Sequence, residues 1–148
     1  MISNADLKLI STLRLNAREN LTTISKKTNI PISTLYEKLK RHEQSIILKH
    51  TTLLDFSKIG YLCRAQMLLL TNKENRDQLA SYLKAHLAVN NIYKINNGYD
   101  FLVEGIFTDI KQLEDFLEEL ENKFPLEQKK IHYIIEDIKR ESFLTFMI

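Results

Sequence analysis

Leu7, Ile10, Leu13 and Ala17 follow one another at helical steps, which predicts a helix capped by Ser3 or Asn4 and ending near Leu15. A second helix of two turns is expected, with Thr22 or Thr23 as its cap, Ile24 turned inward and Asn29 in the left-handed turn that ends it. Ile30-Pro31-Ile32 then breaks the chain, because proline restricts the residue before it yet suits the first turn of a helix. A third helix should run from about Ile32 to Glu43, with Leu35 and Leu39 inside and Ser33, Thr34, Glu37, Lys38, Lys40 and Arg41 mainly outside. Two short helices and a tight turn before a basic amphipathic helix make a helix-turn-helix pattern. The β-branched and apolar run from Ile46 to Leu54 predicts a strand or wing leaving this head.

After a hinge at residues 55–60 the period changes. Tyr61 to Thr71 alternates like a strand, and Glu74 to His86 is helical, with Leu79, Tyr82, Leu83 and His86 on one side. Asn90 to Asn96 and Tyr99 to Thr108 form a predicted hairpin around Asn97-Gly98, a pair that tolerates positive φ at both positions. A helix follows over Asp109 to Asn122, striped by Leu113, Phe116, Leu117 and Leu120, and a last strand over about Gln128 to Ile138. The order of strand, helix, strand, strand, helix, strand is that of a ferredoxin-like βαββαβ sandwich. The expected fold class is therefore α+β: a winged helix-turn-helix over residues 1–54, the hinge, and a ferredoxin-like domain over 61–148.

The strands carry two kinds of face. Ala65, Met67 and Leu69, Phe101, Val103 and Phe107, and Ile131, Tyr133 and Ile135 make one fully apolar face, expected to lie under the helices. The opposite face mixes Arg64, Gln66, Leu68, Leu102, Glu104, Ile106, His132 and Ile134, with Glu136 at its end. Half apolar, it is too greasy to leave in water; pairing with a second copy of the chain would cover it, as would loops or the tail Phe143 to Ile148.

Charge sharpens the division. Net charge is +2 overall, but residues 1–60 carry +5 and residues 61–148 carry −3, as expected of a basic head that meets a polyanion and an acidic body with another task. Lys26, Lys27, Lys38, Lys40 and Arg41 are candidates for phosphates of double-stranded DNA, whereas Ser33, Thr34, Tyr36 and Glu37 lie where a recognition helix reaches base edges. Tyr36 also borders the core, so packing is an equal alternative for it.

Other chemistry finds little support in the pattern. The single cysteine, Cys63, has no partner for an internal disulfide, and no Cys/His spacing suits a metal, so neither metal nor cofactor is expected. His42, His50, His86 and His132 show no paired helical spacing and no accompanying triad, which argues against an enzyme. His42 is expected in the head core and His86 at the end of a helix stripe. No apolar run approaches the eighteen or so residues that span a bilayer, and a cytoplasmic location is expected.

Several stretches together resemble the leucine-responsive/asparagine-type (Lrp/AsnC) family of transcription regulators over nearly the whole chain. They are Asp6-Leu7-Lys8-Leu9-Ile10 with Leu13, Asn16-Ala17-Arg18, Ile24-Ser25-Lys26-Lys27, Ser33-Thr34-Leu35 with Lys38-Leu39-Lys40-Arg41, Gly60-Tyr61 and Tyr99-Asp100-Phe101-Leu102. The resemblance implies a sequence-specific DNA-binding regulator that forms homodimers, with tetramers or octamers as further assemblies, and that answers to a small-molecule effector. It implies an effector site at Asn97, Gly98 and Asp100, with Asp100 equally placed as a strand-end residue that stabilises its own hairpin. Three positions depart from the family's pattern: His42 stands in place of leucine, Ser45 in place of glycine, and Asn97-Gly98 in place of Gly-Asp. Without the acidic group at the turn, plain amino acids are expected to bind weakly, leaving the chain effector-free or tuned to another ligand. A rival from another class is a siroheme-decarboxylase-like tetrapyrrole enzyme, which is similar over both domains; the basic recognition helix with Ser33-Thr34 favours DNA.

Overall fold

The computed structural model describes residues 1–146, so the last two residues of the expected body lie outside the described residues. Met1–Leu53, with the described residues from Ile138 on, form one compact unit, and Leu54–Asp137 form another. The described residues from Ile138 on, expected in the body, group with the first unit. In the first unit Arg14 reaches the returning tail, its Nε donating to the Phe143 carbonyl at 3.0 Å and its guanidinium pairing with Glu141 at 3.1 Å.

The first unit is built on α1 (Asn4–Leu15), α2 (Leu21–Thr28) and α3 (Ile32–Glu43). Ser3 caps α1 in a reciprocal box: its hydroxyl accepts from the Asp6 amide, and the Asp6 carboxylate accepts from the Ser3 amide. The cap of α2 is Asn20, not Thr22 or Thr23; its side chain accepts from the Thr23 amide at 2.8 Å, a reach that only a residue preceding the helix has. Asn29 ends α2 at φ 59°, as its tolerance of that region predicts. Leu9, Ile24 and Leu35, one from each helix, are fully buried together, with Leu13, Leu21, Ile30 and Leu39 packed around them.

Residues 48–54 contain no strand, which corrects the expected wing. The segment has the residue types of a strand, but no neighbouring strand supplies a ladder, and Leu48 and Leu53 stand exposed. The hinge holds a single 3-10 turn, Phe56–Ile59, closed by Gly60 at φ 98°.

The second unit runs β1 (Cys63–Thr71), α4 (Arg76–Ala85), β2 (Val89–Lys94), β3 (Phe101–Phe107), α5 (Ile110–Lys123) and β4 (Leu126–Tyr133). The strands make one antiparallel sheet in the order β2-β3-β1-β4, consistent with a ferredoxin-like sandwich. Asn97 and Gly98, at φ 67° and 101°, make the tight turn between β2 and β3. Alternation drives the core: Ala65, Met67, Leu69, Phe101, Val103 and Phe107 pack under Leu79 and Leu83 of α4 and Leu113, Phe116, Leu117 and Leu120 of α5. The last strand stops at Tyr133 rather than Ile138. Beyond the Ala65–Tyr133 pair one bond remains, from the Ile134 amide to the Arg64 carbonyl, and Ile135 turns out to solvent at 96% exposure. Tyr133, half exposed, and Ile135 are therefore not part of the covered apolar face.

Candidate functional site

α3 presents Ser33, Thr34, Tyr36, Glu37 and Lys40 to solvent, and Lys26 and Lys27 are exposed on α2. The open side of Tyr36 follows from its place one residue past the buried Leu35; Lys40 lies over its ring, 4.8 Å from the centroid. The Tyr36 hydroxyl raises the Lys40 ammonium's pKa. Lys27 is tied to Glu19 at 3.3 Å, which leaves Lys26 as the freer cation of that pair.

Lys38 and Arg41 do something the sequence did not disclose. Both turn toward Asp6, at 3.1 and 3.4 Å, and His42 Nε2 donates to the same Oδ1 at 2.8 Å. Asp6 and His42 are almost wholly buried, Lys38 is mostly so, and Arg41 keeps about two thirds of its side chain in solvent. The Ser3 hydroxyl, above all, holds the Asp6 carboxyl far below the usual carboxylate range against the opposing effect of burial; His42, the Ser3 amide and Lys38 add to it. This cluster ties the start of α1 to the end of α3 and fixes α3 within the head. His42 is in the core as expected, but as Asp6's partner rather than as a substitute leucine. The capping-box spacing of Ser3 and Asp6 was the available signal; that Asp6 also meets α3 depends on packing between residues 32 to 36 positions apart.

In the body, the dimerisation candidates fall on the face of the sheet away from the helices. Arg64 pairs with Ile106, Gln66 with Glu104 and Leu68 with Leu102 across β1 and β3, and His132 lies beside Gln66 on β4; Ile134 sits just past the strand end. Glu104 is 7% exposed, although no helix covers it. Asn90 and Asn91 donate to its Oε1 at 2.6 and 3.1 Å and Gln66 to its Oε2 at 3.3 Å, with Arg64 at 3.9 Å. Gln66 Oε1 is buried and accepts nothing among the described residues. Arg64 also bonds to Asp137. The two asparagines were missed because a bulge between Val89 and Asn91 turns both toward one carboxylate, against simple alternation.

Of the effector candidates, Asn97 and Gly98 form the exposed turn, whereas Asp100 is buried and satisfied within the chain. Its Oδ2 accepts from the Thr71 amide at 2.9 Å, and Arg76 Nε lies 2.9 Å from its Oδ1, an ion pair without aligned hydrogen-bond geometry. Arg76 was not a sequence candidate; it meets Asp100 only because α4 packs at the end of β3. His86 caps α4 edge-on to Phe116, His132 is exposed on β4, and no cluster of metal-ligating residues occurs among the described residues. Burial pushes the Cys63 thiol up, helped by Asp109. No helix among the described residues is long and apolar enough to cross a membrane.

The pattern of the Lrp/AsnC ligand binding domain matches residues 67–143. The chain belongs to the Lrp/AsnC family. It is 23% identical over 142 residues to an uncharacterised HTH-type transcriptional regulator of Pyrococcus abyssi, covering 95% of this chain and 97% of that one. It is 27% identical over 119 residues to the HTH-type transcriptional regulator FL11 of Pyrococcus furiosus, covering 80% and 79%. A Neisseria meningitidis transcriptional regulator in complex with L-methionine has the same fold, with TM-score 0.86 at 18% identity over 95% of this chain and 94% of that one. So has LrpC of B. subtilis, with TM-score 0.84 at 18% identity over 94% and 98%.

Proposed function

We propose that the chain is a sequence-specific DNA-binding transcription regulator that works as a dimer or larger homo-oligomer. The observation that carries this is a family ligand-binding body joined to a head whose α3 offers small hydroxyls and cations on one exposed face. In this reading α2 and α3 are the helix-turn-helix and α3 enters the major groove. Ser33, Thr34, Tyr36 and Glu37 face the bases, while Lys40, Arg41 and Lys26 approach phosphates. Lys38 acts mainly by holding α3 through Asp6. Two copies pair through Leu68, Leu102 and Ile106, whose half-buried side chains lie on the uncovered face of the sheet. The protein has no enzymatic role and works in the cytoplasm. The Asn97-Gly98 turn with Asp100 is the effector region, and the internal partners of Asp100 support weak binding of plain amino acids.

Selection of bound fragments from genomic DNA, followed by gel-shift titration, tests the head. Lys40→Ala and Arg41→Ala should weaken binding alike on all sequences and reduce the salt slope by about one each. Thr34→Ala should change the preferred sequence, by about 1–3 kcal/mol per lost base contact. Variants that all bind like the parent sink the assignment. Sedimentation tests the pairing: Leu102→Asp should give monomers, because it places an unpaired charge in a desolvated interface. Adding siroheme should leave its absorbance spectrum unchanged.

A further inference from the structure

On α3, Tyr36 and Lys40 stand four residues apart, the spacing that puts two side chains on one face of a helix, and both are exposed. A helical side chain leans back over the turn before its own Cα, so Lys40 reaches toward Tyr36 rather than toward the end of the helix. Its ammonium lies 4.8 Å from the ring centroid, inside the range over which the face of an aromatic ring attracts a cation. Leu35 fills the core position beside it and leaves the Tyr36 ring 49% exposed, with a face open to the lysine. The carboxylates of α3 are Glu37 and Glu43, and Glu43 is engaged by His50 at 3.0 Å.

In this Lys40 differs from the other cations of the helix. Lys38 and Arg41 both meet Asp6, whose negative charge opposes theirs. A neutral ring, by contrast, holds an ammonium without cancelling it, and the Tyr36 hydroxyl and Glu43 both favour the charged form of Lys40. A free lysine carries a long stem of mobile rotamers, and a partner that binds its ammonium must first order that stem. Over the ring, part of this ordering is done before any partner arrives. We propose that Tyr36 is a positioning residue at the DNA interface: its ring holds the Lys40 ammonium ready for a backbone phosphate, and its own contribution to binding passes through that lysine. The inference rests on α3 being the helix that meets DNA, and it adds to that reading the side chain that pre-orders one of its cations. Because the ammonium covers a face of the ring, loss of the ring should lower affinity alike on all sequences rather than change the preferred one.

The test is a double-mutant cycle on the full chain, titrated by gel shift against a random-sequence duplex and against a fragment selected from genomic DNA. Tyr36→Leu keeps apolar bulk and removes the ring; it should weaken both duplexes by about two- to fivefold at an unchanged melting temperature. The salt slope should stay as in the parent, because the lysine still ends on its phosphate, whereas Lys40→Ala should reduce the slope by about one. In the Lys40→Ala background, Tyr36→Leu should cost nothing further. Tyr36→Phe, which restores the ring, should bind like the parent. In the free protein the Lys40 methylene protons should show an upfield ring-current shift by NMR, kept in Tyr36→Phe and lost in Tyr36→Leu. A loss that persists in the Lys40→Ala background, a changed sequence preference in Tyr36→Leu, Tyr36→Phe behaving like Tyr36→Leu, or no ring-current shift overturns the proposal. A parent that binds neither duplex sinks the regulator reading and this role with it, whereas a parent that binds both while the two substitutions add independently rejects the role of Tyr36 alone.

Discussion

The two units solve the same stability problem with different means. The body buries thirteen residues in one cluster around Phe107, whereas the head buries Leu9, Ile24 and Leu35 and a cluster of charges. A head of some fifty residues has too little interior for a large apolar core. Its helices are fixed instead by one carboxylate that collects a cap, an imidazole, an ammonium and a guanidinium. The comparison teaches where each unit is fragile: the body through volume, the head through charge. Both also place a buried carboxylate beside the face proposed for binding, Asp6 behind α3 and Glu104 on the open sheet.

The largest effect is expected where volume matters most. Phe107→Ala removes a fully buried ring that packs on Phe116 and should cost about 3–5 kcal/mol, read by urea denaturation, with amide-exchange protection lost in the body strands. A comparable loss of protection confined to α1–α3 would break the contrast between units.

Asp6→Asn comes next, at about 3 kcal/mol, because it leaves Lys38 and His42 without their anion. It also tests the sign of the pH dependence. The folded carboxyl lies far below the ordinary value of about 3.9, so as pH falls through that value the unfolded chain takes up a proton that the folded head refuses. The contribution of Asp6 is therefore complete above the ordinary carboxylate pKa and is lost as pH falls from there toward the folded value. Denaturation of the parent from pH 6 to pH 3 should show this loss, and the slope should be smaller in Asp6→Asn.

Gly105→Ala sharpens the comparison from the side of overpacking. Its added Cβ would come within 2.5 Å of Phe107 Cε2 and 2.9 Å of Met67 Cε, so ring and thioether must shift inside the core, at a cost of about 1–3 kcal/mol. A variant as stable as the parent would show that the body core has slack. The smallest effect is Ser3→Ala, about 1 kcal/mol for a lost cap, followed by thermal melting. Because Ser3 also donates to Asp6, this variant should lift the Asp6 pKa and move the acid limb of head stability to higher pH.

Much of the architecture was legible because it depends on short-range rules. The ends of α3, the left-handed Asn29, the Asn97-Gly98 turn and the apolar faces of β1 and β3 each follow from residue type and period. The wing was misread because a strand is a relation between two segments. Residues 46–54 have the side chains of one without the neighbour, and Ile135 keeps a strand's pattern past the last bond to β1, from the Ile134 amide to the Arg64 carbonyl.

Of the candidate sites, sequence by itself determined which residues line up on one face: Ser33, Thr34, Glu37 and Lys40 on α3, and Arg64, Gln66 and Leu68 on β1. Periods of 3.6 and 2 need no partner to be read. Only the tertiary structure decided that Lys38 and Arg41 turn to Asp6, that Glu104 is gathered by Asn90 and Asn91, and that Arg76 occupies Asp100. Each of these joins polar groups 13 to 35 residues apart in the chain. Such a pair is stable only where folding has removed water from around it and brought the two groups within bonding distance, and neither condition is written in local order.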